Sequence, residues 1–247
     1  MSQPRRRIVI SGASSGIGFA VATRLCATDD VWLMGSSPDS ARAALERLGS
    51  MGLRAAGASG VDVADEAAVD AAIAQAAEAM SGLDGVFVNA GMDGQAEPAS
   101  GLDVAGFRRL LDVNVIGAFN VARSVLTRLT RPGTIVFNAS ANAVRPEANF
   151  LDYNASKAAV LSMAKTMALE LGHEGVTVIC LCPGYFPTRM TQEYLDDEST
   201  RDELLGLIPA GRFGELTEAG EVVDFLLSSS ARFMTGSVVN LDGGRSI

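Results

Sequence analysis

The sequence predicts an α/β protein: a doubly wound parallel sheet of about seven strands with helices on both faces. Three observations predict it. Short apolar runs rich in β-branched residues, such as RIVIS at 7–11 and GVTVICL at 175–181, recur along the chain; such runs are typical of strands buried on both faces. Helical stretches separate them, and alternation at this rhythm gives parallel strands joined by right-handed crossovers. A glycine-rich turn, Gly12-Ala13-Ser14-Ser15-Gly16-Ile17-Gly18, follows the first run at once.

The first strand covers residues 7–11, and a helix runs from the glycine-rich turn to 27. Strand, turn and helix in this order aim main-chain N–H groups and a helix N-terminus at a phosphate. Residues 31–35 form the second strand, and a helix follows over 38–51. A weaker third strand lies between 53 and 61 and ends at Asp62-Val63. Asp65 is the N-cap of an alanine-rich helix that reaches 80. Residues 83–89 form the fourth strand, and 92–101 a loop. A long helix spans 103–129, Pro132-Gly133 breaks it, and a fifth strand covers 134–138. The loop 141–151 leads to a helix that carries Tyr153 and ends near 171. The sixth strand, 175–181, closes at Pro183-Gly184. Residues 185–214 are irregular and polar and form a substrate lid. A last helix covers 217–230 and a seventh strand 237–241. No repeat or linker interrupts the order, so residues 1–247 are expected to form one domain.

Composition narrows the function. The net charge is −9 and the pI about 4.7. With no stripe of Lys or Arg, nucleic acid is not an expected partner. Arg5-Arg6-Arg7 is the one basic run, and the apolar segment behind it is too short for a signal peptide. No run approaches the roughly 20 apolar residues of a membrane span. Three cysteines make no disulfide framework. Cys180 and Cys182 fit buried small hydrophobes in a reducing cytoplasm. His173 is the single histidine, and no cluster has metal-ligand spacing.

Tyr153-Asn154-Ala155-Ser156-Lys157 carries the clearest chemistry. Tyrosine and lysine four residues apart share a helix face. An ammonium beside a phenol favours the phenolate, so Tyr153 is a candidate general acid/base with Lys157 as its tuner. A solvated pair is the plainer alternative. Gly12, Asp62, Asn89, Ser140 and Pro183 all fall just past strand ends. In a parallel sheet those ends share one crevice, where ligands bind.

Together these pieces resemble the short-chain dehydrogenase/reductase family, over almost the whole chain, with a broad likeness to ketoreductases of the 3-oxoacyl-carrier-protein reductase type. T-G-x-x-x-G-x-G appears as Ser11–Gly18 with Ser for Thr. N-N-A-G appears as Val88-Asn89-Ala90-Gly91 with its first Asn replaced. D-V matches Asp62-Val63, the helix asparagine Asn114, the catalytic serine Ser140, and Y-x-A-S-K is intact. P-G-x-x-x-T matches Pro183-Gly184 through Thr188. The resemblance implies a Rossmann-like fold and hydride transfer between a nicotinamide and a ketone or secondary alcohol. Ser140 would then hold the substrate oxygen and Tyr153 deliver its proton. Lys157 would hold the ribose hydroxyls, and Asn114 would fix a water leading from Lys157. For Asn114 the alternative is a buried helix asparagine bonded to backbone.

The resemblance also implies the cofactor contacts. Gly12, Ser14, Ser15, Gly16, Ile17 and Gly18 would cradle the diphosphate. Asp62 would cap the adenine amine, and Val63, Asn89, Ala90, Gly91, Tyr153, Lys157, Pro183, Gly184, Phe186 and Thr188 would complete the cofactor contacts. The end of the second strand carries Ser36 and Ser37 and no acid for a ribose diol. That favours NADP(H), with Arg42 within reach of a 2′-phosphate, and leaves NAD(H) and an NAD-dependent alcohol dehydrogenase as the alternative. The loops offer Asn142, Val144, Arg145, Phe150, Tyr185, Phe186 and Met190, a mixed pocket for a medium-sized ketone. Arg145 either meets a carboxylate or is solvated. A non-enzymatic dinucleotide sensor is the competing class, and the intact serine, tyrosine and lysine argue against it. The family implies a homotetramer built on the helices over 103–129 and 153–171, the second carrying Ala158, Ala159, Leu161, Met163, Ala164, Met167 and Ala168.

Overall fold

The crevice that positions the chemistry follows from the strand order. A computed structural model describes residues 5–247. Seven parallel strands form one sheet in the order β3-β2-β1-β4-β5-β6-β7. They are β1 (Arg7–Ser11), β2 (Asp30–Gly35), β3 (Gly57–Gly60), β4 (Leu83–Val88), β5 (Leu129–Asn138), β6 (Val176–Pro183) and β7 (Val238–Leu241). The order reverses between β1 and β4, and a cleft opens beyond their carboxyl ends, as it must where neighbouring crossovers run in opposite directions.

Successive side chains of a strand point to opposite faces, and the core divides accordingly. Ile8 and Ile10 join a cluster with Phe19, Val21 and Leu25 of α1 (Gly16–Leu25), Ala44 and Leu48 of α2 (Pro38–Ser50), and Val223 and Leu226 of α9 (Leu216–Leu226). Val9 joins the other cluster, with Ile73 of α3 (Glu66–Met80), Val121 of α5 (Gly117–Leu126) and Val160 of α6 (Leu151–Leu171).

Most boundaries fall within a few residues of the expected ones, and Asp65 caps α3 by accepting from Ala68 N at 3.0 Å. Three stretches differ. The helix expected over 103–129 is α4 (Val104–Leu111), a π turn over Asp112–Ile116, and α5, which ends at Leu126. Leu129 already belongs to β5 and pairs with Leu83. Pro132-Gly133 lies inside β5 at a register shift, one of the few places where a strand tolerates proline. β3 is GASG, without a large apolar side chain. Its glycines are required by close neighbours: a Cβ on Gly60 would overlap Ser37 and Pro38, and one on Gly57 would strike the Trp32 ring.

The expected apolar surface of α6 also divides. Ala164, Met167 and Ala168 face the sheet and are buried, while Ala155, Ala158 and Leu169 face outward, Leu169 being 86% exposed. The stretch 185–214 is more regular than its composition suggests and carries α7 (Gln192–Asp196) and α8 (Glu198–Gly206). Its two ends are tied by Gly214 N donating to Tyr185 O at 2.9 Å. Among the described residues no helix is long and apolar enough to cross a membrane, and no group of three His, Cys, Asp or Glu side chains is arranged to hold a metal.

Candidate active site

The floor of the cleft is built by glycines and one asparagine. Gly12 takes φ +65°, and a Cβ there would stand 2.8 Å from Ala90 Cα. A Cβ on Gly18 would overlap the Gly12 carbonyl oxygen. Only glycine permits both the left-handed turn and this approach. Ser11 keeps the hydroxyl of the threonine that it replaces: its Oγ is fully buried and accepts from Asn89 N at 2.9 Å and Ala90 N at 3.1 Å. Asn89 Nδ2 donates to Ser11 O and Gly12 O, and Asn89 Oδ1 accepts from Asn138 Nδ2 at 2.8 Å. One side chain thereby ties the ends of β1, β4 and β5.

The cleft holds about 470 Å³. One end is bordered by Gly12, Ser14, Ser15, Gly16 and Ile17, and the N-cap Ser15 spends no side-chain bond on α1. A helix start leaves its first N–H groups without main-chain partners, and these favour an anion. Gly18 lies behind them as spacer. Ser36 borders the cleft, but Ser37 is occupied elsewhere: its Oγ accepts from Ser40 N at 3.2 Å and caps α2. Asp62 and Val63 form a side wall. Asp62 accepts from Ala64 N at 3.0 Å and pairs with Arg109 at 3.0 Å; those bonds hold its carboxyl below the usual range.

At the other end Ser140, Tyr153 and Lys157 meet with Ala90, Gly91, Pro183, Gly184, Phe186 and Thr188. Ser140 caps the short 3₁₀ turn Ala141–Ala143, its Oγ accepting from Asn142 N at 3.1 Å. Lys157 is buried, with Nζ 5.6 Å from the Tyr153 ring centre and donating to Asn138 O at 3.1 Å. Burial lowers Lys157 to about 8. Burial also pushes Tyr153 above an ordinary phenol, although the bond to Ser140 pulls it back in part. This corrects the expectation that Lys157 brings Tyr153 down. Each group has lost water, which disfavours its charged form, and for Tyr153 that loss, with the nearby Asp93 and Glu147 carboxylates, outweighs the help of Ser140.

Asn114 is buried in the π turn. Its Oδ1 accepts from Met92 N at 2.8 Å, and its Nδ2 donates to Met92 O at 3.0 Å and Ser156 Oγ at 3.1 Å. The side chain therefore braces the loop after β4 against α6. The loops expected to meet substrate divide as well. Phe186 and Met190 border the cleft with Met92. Arg145 is exposed, as a solvated loop arginine would be, and its Nη1 also donates to Arg245 O at 2.6 Å and Ile247 O at 3.3 Å, so it is not aimed at the cleft.

A family profile described as Enoyl-(Acyl carrier protein) reductase matches residues 12–246. The chain belongs to the short-chain dehydrogenase/reductase family. It is an oxidoreductase. A levodione reductase from Leifsonia aquatica is 31% identical over 262 residues, covering 98% of this chain and 94% of that protein. Two solved structures of the family are similar throughout. A 3-ketoacyl-(acyl-carrier-protein) reductase from Brucella melitensis complexed with NADH has TM-score 0.88 and 28% identity, covering 98% of both chains. A short chain dehydrogenase from Burkholderia cenocepacia in complex with NADP has TM-score 0.89 and 31% identity, also covering 98% of both.

In this short-chain dehydrogenase/reductase, residues that motif reading passed over also border or brace the cleft. Asn138 borders the cleft, and its Oδ1 is buried without a partner; a polar residue ending an apolar strand was the available signal. Arg47 stacks 3.7 Å over the Phe19 ring and donates to Ser14 O at 3.3 Å. Asp93 accepts from Tyr194 of α7 at 3.1 Å, and Phe150 meets the Tyr194 ring edge-on at 6.2 Å. These pairs are far apart in sequence and carry no local pattern.

Proposed function

We propose that the protein is an NADP(H)-dependent ketoreductase, interconverting a medium-sized ketone and its secondary alcohol through Ser140, Tyr153, Lys157 and Asn114. The observation that carries this reading is the meeting of Ser140 and Tyr153 beside buried Lys157 at the carboxyl edge of the sheet. A nicotinamide dinucleotide, when bound, supplies or accepts the hydride. The residues present fit it: free N–H groups at the start of α1 suit a diphosphate, and Gly12 and Gly18 leave a floor that a Cβ would fill. Gly12, Ser14, Ser15, Gly16 and Ile17 would hold that diphosphate. Asp62 and Val63 would border the base, Asn89, Ala90 and Gly91 the ribose, and Pro183, Gly184, Phe186 and Thr188 the nicotinamide.

In the reducing direction charge grows on the carbonyl oxygen. Ser140 Oγ accepts from Asn142 N, and its one proton, which otherwise eases charge on Tyr153, can turn to that oxygen. Tyr153, held protonated, gives up its proton to the same atom. The Lys157 cation stabilises the phenolate left behind and is placed to hold ribose hydroxyls. Asn114 stands next to Lys157; both approach one point above Gly91, at 3.2 and 3.5 Å. The π turn around Asn114 skips a regular helical pair and can free a main-chain carbonyl for a water.

NADP(H) is favoured because no acid ends β2 and Ser36 leaves room there. Arg47, donating to Ser14 O at 3.3 Å, places a cation beside the glycine-rich turn, whereas Arg42 is engaged with Asp39 at 3.0 Å. NAD(H) is the second reading, since one similar structure carries NADH and another NADP. The similar levodione reductase supports a ketone, and Met92, Phe186 and Met190 give the substrate end an apolar lining. We assign one domain over 1–247 with 185–214 as lid, a homotetramer, and a cytoplasmic location that suits three free, buried cysteines.

Tyr153→Phe tests the mechanism. It should fold, bind cofactor as the parent does, and lose at least about 10²-fold in turnover of ketones with NADPH. Near-parental turnover would refute the assignment.

A further inference from the structure

We propose that Glu147 is a positioning residue for Ser140 and the substrate-facing wall, with Arg245 of the C-terminal tail as its counter-charge. The proposal rests on the reading of Ser140 and Tyr153 given above.

Glu147 lies in the loop between β5 and α6, with its side chain about a quarter exposed at 24%. Its Oε1 accepts from Tyr185 OH at 2.6 Å, and its Oε2 from Asn142 Nδ2 at 3.3 Å. Its carbonyl accepts from Asn154 Nδ2 at 2.7 Å, and Asn154 Oδ1 accepts in turn from Asn142 Nδ2 at 3.0 Å. Asn142 is the residue whose main-chain N–H is donated to Ser140 Oγ. A hydroxyl has one proton to give. Filling one acceptor site of Ser140 from Asn142 restricts where that proton can point, and Glu147 holds Asn142 from behind. Asn154, bonded to the same two residues, follows Tyr153 on α6.

The fourth arm is ionic. Arg245 Nη2 pairs with Glu147 Oε2 at 3.2 Å, and the guanidinium lies 5.1 Å over the Tyr185 ring. Arg245 is 4% exposed, and its Nε and Nη1 find no partner. Glu147 is therefore the single carboxylate paired with this buried cation among the described residues. Burying such a pair is costly, and apolar side chains would fill the same space more cheaply. What the pair gives in return is a fixed junction. The loop after β5, the start of the lid and the tail meet at the Glu147 carboxylate, and the first turn of α6 at its main-chain carbonyl. Arg145, donating to the carbonyls of Arg245 and Ile247, fastens the tail from its other side. The substrate wall is thus incomplete without the last residues of the chain.

The test compares the parent with Glu147→Gln, Arg245→Met, Arg245→Lys and the double variant Glu147→Gln/Arg245→Met. Amide exchange of residues 140–145, read by mass spectrometry, reports the wall without any turnover. It should quicken about tenfold or more in Glu147→Gln and Arg245→Met, with exchange in β1 and β4 unchanged. In ketone turnover, kcat should fall about tenfold while cofactor Kd stays within about twofold of the parent, because a small displacement at the reacting groups costs rate. The double variant should cost no more than Glu147→Gln alone, since both act through one contact, and Arg245→Lys should restore part of kcat. Unchanged exchange in residues 140–145, or equal slowing throughout the sheet elements, overturns the proposal. A parent that reduces no ketone, with exchange behaving as expected, refutes the ketoreductase reading and leaves the network standing.

Discussion

Lys157 Nζ lies 5.6 Å from the centre of the Tyr153 ring and gives a hydrogen bond to the Asn138 carbonyl at 3.1 Å. The lysine is thereby fixed by the end of β5 and not by the phenol. Burial holds it near 8, inside the range in which enzymes are assayed. The sign follows from its chemistry. Above about pH 8 Lys157 loses its charge, and the phenolate formed when Tyr153 gives up its proton loses its cation. For reduction, kcat/KM should be level below about pH 8 and fall above it. Lys157→Met should be slow and lack that limb. A parent profile level to about pH 10 would remove Lys157 from this role.

A second prediction concerns stability. Burial works to raise the Asp84 carboxyl, but the Arg7 guanidinium, forked onto it at 2.7 and 2.8 Å, and the Thr130 hydroxyl outweigh burial and hold it at about 2. A depressed folded value stabilises the protein above the unfolded value near 3.9 and loses that contribution as pH falls towards about 2. Asp84→Asn should cost about 1–2 kcal/mol at neutral pH, after allowance for solvent screening, and less in acid. Urea unfolding at both pH values measures it. A cost that does not shrink in acid would count against the pair.

Cofactor choice gives a third. Ser36→Asp places a carboxylate where a 2′-phosphate would lie, and Arg47→Leu removes the guanidinium held against Ser14. Each should weaken NADPH by about tenfold or more and leave NADH within about twofold. Fluorescence titration of both dinucleotides decides. A parent that prefers NADH would end the NADP assignment.

Assembly gives a fourth. The outward face of α6 presents Ala155, Ala158 and Leu169, and α5 with the π turn presents Ile116 and Phe119 at 48% and 42% exposure. Small and apolar residues facing outward suit helix pairing across a two-fold axis. Light scattering should give about four times the 25.7 kDa chain mass, and Ala158→Arg should lower it. A parent mass near 25.7 kDa would refute the tetramer.

The fold was legible because its signals are local. An apolar run, a glycine-rich turn and a helical stretch each announce themselves within a dozen residues, and Tyr153 and Lys157 are one helical turn apart. The misplaced boundaries arose where tertiary contact overrode a local cue. Pro132 reads as a breaker, yet Leu129 pairs with Leu83 and carries the strand through it. The direction of the Tyr153 shift was lost because depth of burial cannot be read from spacing. Arg145 looked free because its partners lie 100 and 102 residues away, at the end of the chain. Glu147 and Arg47 belong to no motif, and what each does depends on neighbours that only the folded chain supplies.

The hydrogen bond from Gly214 to Tyr185 bears on how this scaffold can change. With both ends of the 185–214 stretch stitched together, and a Cβ on Gly214 excluded by the Phe186 ring, the residues between them leave and rejoin the sheet at one point, touching the rest of the chain through contacts such as Tyr194 with Asp93 and Ala210 N with Gly243 O. Its length and composition can vary at modest entropic cost, because closing a longer loop adds little once its ends are fixed. On the proposed reading of this stretch as the substrate lid, substrate range can be exchanged between these two anchors, by selection or by grafting, while the strands and the tyrosine helix keep their places.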